Sequence, residues 1–305
     1  MLGPWGRHPS GRGGIVSGAG AAGRRLVQWL GGDPRERSCG GERRPRPATA
    51  RCHRQDAADC RSLLLVDAAQ LAPSAAVDVQ ALDVDYLALS CHKLLAPYGV
   101  GVLYGREHLL AGSLPFLYGG DMIAEGKVAP DQVEYNELPW KYAAGTPNIL
   151  GVIASAQTLR LVVDLLASGD SPRWFDSPDP LPREPVVQAM GLVARHVAEI
   201  TSRALRAVQD LPEVTVYGPP LGTPRAPVLA FRVDGADPVD VARRLDDLGV
   251  ESRAGCHCAT LAHRDLGVDP PASCRFSFAM YTSPDDVEQA VDALGTVVRH
   301  ARRGR

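Results

Sequence analysis

The sequence predicts an α/β fold, and three observations carry that prediction. Short apolar, β-rich runs bounded by turn residues recur from Leu63 onward. Helical segments with apolar residues three and four apart stand between them. The two kinds of element interleave to the end of a 305-residue chain, which is long enough for two lobes.

The first lobe is expected over residues 61–170. "LLLVDAAQ" reads as a buried strand ending in an acid. "VDYLALS" is a second strand, and "GVGVLYG", bounded by glycine, a third. "NILGVIASAQTLRLVVDLLAS" follows as a helix. The Pro- and Asp-rich stretch "GDSPRWFDSPDPLPREP" reads as a linker or excursion.

The second lobe is expected over residues 186–303. It opens with the long amphipathic helix "VVQAMGLVARHVAEITSRALRAVQDL". Strands "VTVYGP" and "PVLAFRVDG", helix "DPVDVARRLDDLG", strands "VESRAG" and "CRFSFAMY", and a final helix from Ser283 complete it. Asp237 and Ser283 stand where capping residues are wanted, with Pro in the first turn behind each.

Residues 1–60 differ in composition. They are rich in Gly, Arg and Pro and show little periodicity beyond "RRLVQWL", so a poorly ordered segment is expected. Gly18, Gly20 and Gly23 spell GxGxxG, but the dinucleotide reading needs a strand before, a helix after and an acid downstream. Chance in a glycine-rich stretch is the simpler source.

Bulk properties narrow the function classes. A net charge of −2 gives no electrostatic case for nucleic acid or an anionic membrane. No apolar run reads as long enough to span a bilayer, and the N-terminus lacks a signal-type apolar core. Seven cysteines in a chain of this size are expected to be reduced and cytoplasmic.

The chemistry begins at Lys93 in "LSCHKLLAPYG". A lysine just beyond a strand lies where α/β proteins place ligands, and Asp67 ends the preceding strand. A lysine that forms an imine, beside a carboxylate that keeps a pyridine nitrogen protonated, suits pyridoxal phosphate. Ser90 and His92 flank the lysine as donors to a phosphate, and Gln70 as a donor to the ring's phenolic oxygen. An Asp–Lys ion pair at a sheet edge accounts for the same spacing equally well.

The stretch from "LLLVDAAQ" through "SCHK" to "GVGVLYG", with "AAGTPNILG" further on, resembles the class V aminotransferase family. Within it the resemblance is to group II cysteine desulfurases and selenocysteine lyases, and it runs from about Leu63 to Val298. It implies a pyridoxal-phosphate-dependent transferase of fold type I, with a partial large-domain sheet and a smaller C-terminal α/β domain. By that resemblance Lys93 carries the cofactor and moves protons, Asp67 tunes it, and Gln70, Ser90 and His92 hold it. Thr146 would reach the phosphate of a neighbouring subunit, which implies a homodimer.

"SRAGCHCA" resembles the family's substrate loop and places Cys258 at the persulfide-forming cysteine. A thiolate on a loop near a cationic site is an activated nucleophile. Arg275 matches the arginine that clamps the substrate carboxylate, and Arg253 a second active-site arginine. The implied activity moves sulfur from L-cysteine to Cys258, releases L-alanine, and hands the sulfur to an acceptor protein. A cysteine or cystine C–S lyase and an inactive fragment are the alternatives. Cys256 stands where many relatives carry histidine. Cys256 and Cys258 form C-x-C, which lacks the C-x-x-C spacing and second ligand pair of a zinc site, so no metal is expected. Cys274 and Cys91 are expected to be packed thiols.

The chain departs from the family upstream of Leu63. The stacking histidine and the asparagine near the phenolic oxygen find no counterpart, since His8 and His53 lie in sequence read as unlike the family. "SGAGAAGRRLVQWLGG" is expected as a remnant of the phosphate turn and its helix, in a truncated or frame-shifted segment.

Overall fold

The computed structural model describes residues 26–30, 63–167, 173–175 and 177–303. The first lobe holds a four-stranded sheet in the order β1 (Leu26–Leu30), β2 (Leu63–Asp67), β3 (Tyr86–Ser90), β4 (Gly101–Gly105). The first three strands are parallel, and β4 returns antiparallel to β3. The stretch expected as a remnant helix is therefore strand β1 at Leu26–Leu30. Five residues with apolar positions at both neighbours and spacings of three satisfy either period, and pairing with β2 decides for the strand. Gly18, Gly20, Gly23, His8 and His53 lie outside the described residues.

Period-two burial makes β2 a strand. Leu64 and Val66 are fully buried and pack with Ala68, Val84 and Leu87. Leu71, Val79 and Leu82 close the cluster from the crossover, which contains the single turn α1 (Val79–Leu82). Asp78 caps that turn by accepting the N–H groups of Gln80 and Ala81 at 3.0 and 3.1 Å. At the base of the sheet the buried Asp85 carboxylate accepts the Leu64 N–H at 2.8 Å and Arg106 Nε at 3.1 Å. This joins the start of β2 to the end of β4 and the entrance of α2 (Glu107–Gly112). A two-stranded hairpin, β5 (Ile123–Ala129) and β6 (Gln132–Tyr135), then projects from the lobe.

Helix α3 (Ile149–Ala167) packs against α4 (Arg183–Gln209). The segment between them folds back on α3. Asp164, almost wholly buried, accepts the backbone N–H groups of Arg173, Trp174 and Phe175. Arg160 donates to the carbonyls of Trp174, Ser177 and Asp179. One expectation is corrected here: α3, with 19 residues and a mean hydropathy of 1.7, is long and apolar enough by length and composition to cross a bilayer. The sequence reading weighed its spacing and passed over its length. Asp164 and Arg160 bind the protein's own backbone, and so hold the following segment against α3.

The C-terminal half of α4 belongs to the second lobe. An antiparallel sheet runs in the order β7 (Val214–Tyr217), β8 (Val228–Val233), β10 (Ser273–Ser277), β9 (Arg253–Gly255). Leu229, Phe231 and Val233 alternate inward along β8 and meet Ala204, Leu205 and Val208 of α4. Helices α5 (Pro238–Asp247) and α7 (Pro284–Arg303) close the same core with Val241, Leu245, Leu294 and Val298. Asp237 caps α5 as expected, accepting from Val239 N–H at 2.8 Å.

Candidate active site

Parallel strands β2 and β3 end side by side, with Asp67 opposite Ala88. Both therefore deliver their following residues to one edge of the sheet, where α/β folds bind ligands. The Asp67 carboxylate accepts the Ala69 N–H at 2.9 Å and is half-buried. Beyond β3 the chain closes a 3₁₀ turn, Cys91–Leu94, that carries His92 and Lys93. Its start is tied to the next strand by Cys91 N–H to Val100 O at 3.0 Å. Leu95 ends it in the left-handed region at φ 67°.

Lys93 is half-buried in this turn. Among the described residues no ion pair links it to Asp67, so the rival reading of an Asp–Lys pair has no contact behind it. Ser90 Oγ and His92 Nδ1 lie 2.8 Å apart, and the His92 ring stacks on Tyr98 with centroids 4.9 Å apart. The imidazole is thus held by its neighbours on the lysine's flank. Gln70 is exposed just past the strand end. Thr146 is exposed on the loop before α3, where Gly145 at φ 83° donates to Gly120 O at 3.0 Å.

Gly151 holds the far side of the lysine turn. Its N–H caps on Asn148 Oδ1 at 3.0 Å, and a Cβ there would stand 2.8 Å from Cγ2 of Val100, the residue whose carbonyl anchors Cys91. Gly151→Ala is expected to destabilise the protein by about 1–3 kcal/mol through overpacking, which outweighs the helix propensity gained, about 1 kcal/mol. The midpoint of urea unfolding measures this. A raised midpoint would show that Val100 has room to yield.

The second group of residues sits on the other sheet. Arg275 and Arg253 are directly opposite one another on β10 and β9. Arg275 is half-buried, its Nε has no hydrogen-bond partner, and no described ion pair engages either guanidinium. Burial pushes the Arg275 guanidinium down, Arg253 pushes the same way, and Cys258 opposes both. Like charges facing each other across a ladder are unfavourable, and no ion pair among the described residues offsets them.

Cys258 follows β9 on a tight turn in which His257 and Cys258 both adopt positive φ, 51° and 60°. Both Cys256 and Cys258 are free and exposed. His263, on the short helix α6 (Thr260–Asp265), couples the turn to the arginine strand. Its Nδ1 donates to Ala259 O at 2.9 Å, and its Nε2 meets Ser273 Oγ at 2.9 Å. A carbonyl only accepts, so a proton sits on Nδ1. His257 is half-buried with neither nitrogen well bonded. Burial holds its pKa down, the charge of Arg275 adds to that, the nearby Ser273 backbone opposes it without an aligned hydrogen bond, and His263 and Arg253 add smaller downward effects.

Cys274 and Cys91 are packed thiols, as expected. Cys274 Sγ donates to Pro238 O at 3.2 Å, and burial pushes its pKa up to about 12. Among the described residues no cluster of His, Cys, Asp and Glu is arranged to hold a metal. The coupling residue His263 was missed by the sequence reading, because its role depends on a helix turn and a strand meeting in space.

A lysine beyond parallel strand ends in one lobe, and a facing arginine pair beside an exposed thiol in the other, are the chemically distinctive features of this α/β scaffold. The family described as aminotransferase class-V matches residues 43–169 and 187–290, and the chain belongs to that family. The matched region begins upstream of Leu63 and takes in His53, so the family sequence reaches further toward the N-terminus than its motifs indicate. It skips the Pro-rich connection between α3 and α4.

A probable cysteine desulfurase of Halobacterium salinarum is 40% identical over 245 residues, covering 80% of this chain and 51% of that protein. The apo cysteine desulfurase of Thermococcus onnurineus superposes with a TM-score of 0.68 at 32% identity, over 81% of this chain and 55% of the other. A cysteine desulfurase of Escherichia coli, solved as its S-sulfonic acid, gives a TM-score of 0.63 at 32% identity, over 81% and 53%. The chain thus spans about half the length of the relatives it matches.

Proposed function

We propose that this chain carries the lysine and the substrate-binding loop of a pyridoxal-phosphate-dependent cysteine desulfurase. Such an enzyme moves sulfur from L-cysteine to Cys258 and releases L-alanine. The observation that carries this reading is the facing pair Arg253 and Arg275, with an unpartnered buried Nε, beside an exposed cysteine. A carboxylate bound between them would relieve their repulsion and satisfy that donor in a two-bonded, charge-assisted contact.

The donor set at the other sheet fits the cofactor. Asp67 has one oxygen fixed by Ala69 and a second free to hold a pyridine N–H, and Lys93 is free to bond the aldehyde carbon. Ser90 and His92 stand ready for phosphate oxygens, Gln70 for the phenolic oxygen, and Thr146 for a phosphate across a homodimer. Pyridoxal phosphate, when bound, supplies the electron sink for bond breaking at the substrate. Arg275 fixes the substrate carboxylate, and Lys93 carries protons at the α-carbon. Cys258 attacks the substrate sulfur: an S–S bond forms, the carbon–sulfur bond breaks with its pair going to carbon, and protonation of that carbon leaves alanine. The four free cysteines among the described residues support a reducing compartment such as the cytoplasm.

Arg275→Met keeps the stem and removes the fork. It is expected to raise the KM for L-cysteine by about ten- to a hundredfold, the loss of a charged hydrogen-bonded contact of roughly 1.5–3 kcal/mol. Its thermal midpoint without substrate should hold or rise, because the repulsion with Arg253 is gone. Alanine release against substrate concentration measures the first, and calorimetry the second. An unchanged KM would remove Arg275 from the substrate site.

A further inference from the structure

We propose that Cys256 is the second thiol of a two-cysteine relay, taking the sulfur from Cys258 and presenting it for release. The inference rests on the reading of Cys258 as the first sulfur carrier. Both thiols are free and exposed, and a single residue separates them.

The backbone brings the two together. Consecutive positive φ values at His257 and Cys258 fold the C-H-C stretch into a turn, closed by Ala259 N–H to Cys256 O at 2.7 Å. Within that turn the Thr260 hydroxyl and the N–H groups of Cys258 and Ala259 lie near enough to the Cys256 thiol to lower its pKa. Its sulfur therefore lies against the backbone of the very residue that would carry the sulfane sulfur. Cys258 lies close enough to Arg275 to act on its guanidinium.

The nucleophile in sulfur exchange is the thiolate. The Thr260 hydroxyl, followed by the Cys258 backbone N–H, holds the Cys256 pKa below the usual thiol value, against the opposing effect of burial. His257 between the thiols is biased to the neutral form by burial, so it does not lock that thiolate in an ion pair.

In the transfer step, Cys256 thiolate attacks the outer sulfur of the Cys258 persulfide. A sulfur–sulfur bond forms to Cys256, the one to Cys258 breaks, and Cys258 leaves as thiolate. The proton on the outer sulfur stays with it, and no external oxidant or reductant is consumed. A small thiol or a protein cysteine then takes the sulfur from Cys256.

The test uses the full chain supplied with pyridoxal phosphate and L-cysteine, quenched with an alkylating reagent and mapped by mass spectrometry. The expected result is persulfide on both Cys256 and Cys258. In Cys256→Ser and Cys256→Ala the sulfur should stop on Cys258, and steady-state sulfur transfer to a small thiol should fall at least tenfold. In Cys258→Ser neither position should be labelled. Separately, alkylation of Cys256 without substrate should proceed at a pH below the usual thiol range, and the Thr260→Val variant should move that profile upward. Persulfide on Cys258 with none on Cys256 would overturn the relay and leave the desulfurase reading standing. No persulfide and no alanine would overturn both.

Discussion

Lys93→Ala is expected to lose the visible absorption band that the wild-type chain acquires with pyridoxal phosphate, and to lower alanine release from L-cysteine by at least about 10²–10⁴-fold. The magnitude follows from the two tasks assigned to one amine, covalent attachment of the cofactor and proton transfer at the substrate's α-carbon. The structure leaves Lys93 available for both. It is half-buried on a 3₁₀ turn, no described ion pair holds it, and the flanking His92 is engaged with Ser90 and Tyr98. Because the turn is held through the backbone of Cys91 and Val100, removing the side chain should leave the fold intact. An unchanged thermal midpoint would show that. A band that persists in the variant would mean another amine binds the aldehyde, and Lys141 would be the first to examine. That lysine is buried, but its Nζ donates to the carbonyls of Leu110 and Ala111 at 3.2 and 2.7 Å, as a structural lysine does at the end of a helix.

Much of this site is visible in the sequence because its parts are local. The strand "LLLVD" announces itself as a short apolar run ending in the acid Asp67, and Lys93 follows the end of the next strand within a few residues. What the sequence hides depends on partners far along the chain. Arg253 and Arg275 are legible as motif residues, but their facing register exists only once β9 and β10 pair. The Cys256 contacts need two left-handed residues in succession, which no pattern of residue types announces. The β5–β6 hairpin was missed because its second strand is only four residues long, too short for the alternation in "QVEY" to stand out. Strand β1 was misread for a related reason, since "LVQWL" fits a helix turn as well as a strand until β2 lies beside it.

Cys258→Ala separates desulfurase from lyase, and its expected effect is as large as that of the lysine. With the thiol gone, alanine release should fall by about 10³-fold or more, as for loss of a covalent nucleophile. The cofactor's absorption band should remain, because Cys258 lies on the second sheet and touches none of the groups at Asp67 and Lys93 by any described hydrogen bond. The turn should also survive. Its closure runs through the backbone of Cys256 and Ala259, and His263 fixes Ala259 O independently of the thiol. Alanine carries the same left-handed strain at this positive φ as cysteine does, so a folding defect is not the expected source of lost activity. A lyase has no need of this thiol and would continue to release sulfide. If the variant retains its rate and yields pyruvate in place of alanine, sulfur leaves by elimination, and the paired arginines then serve a C–S lyase.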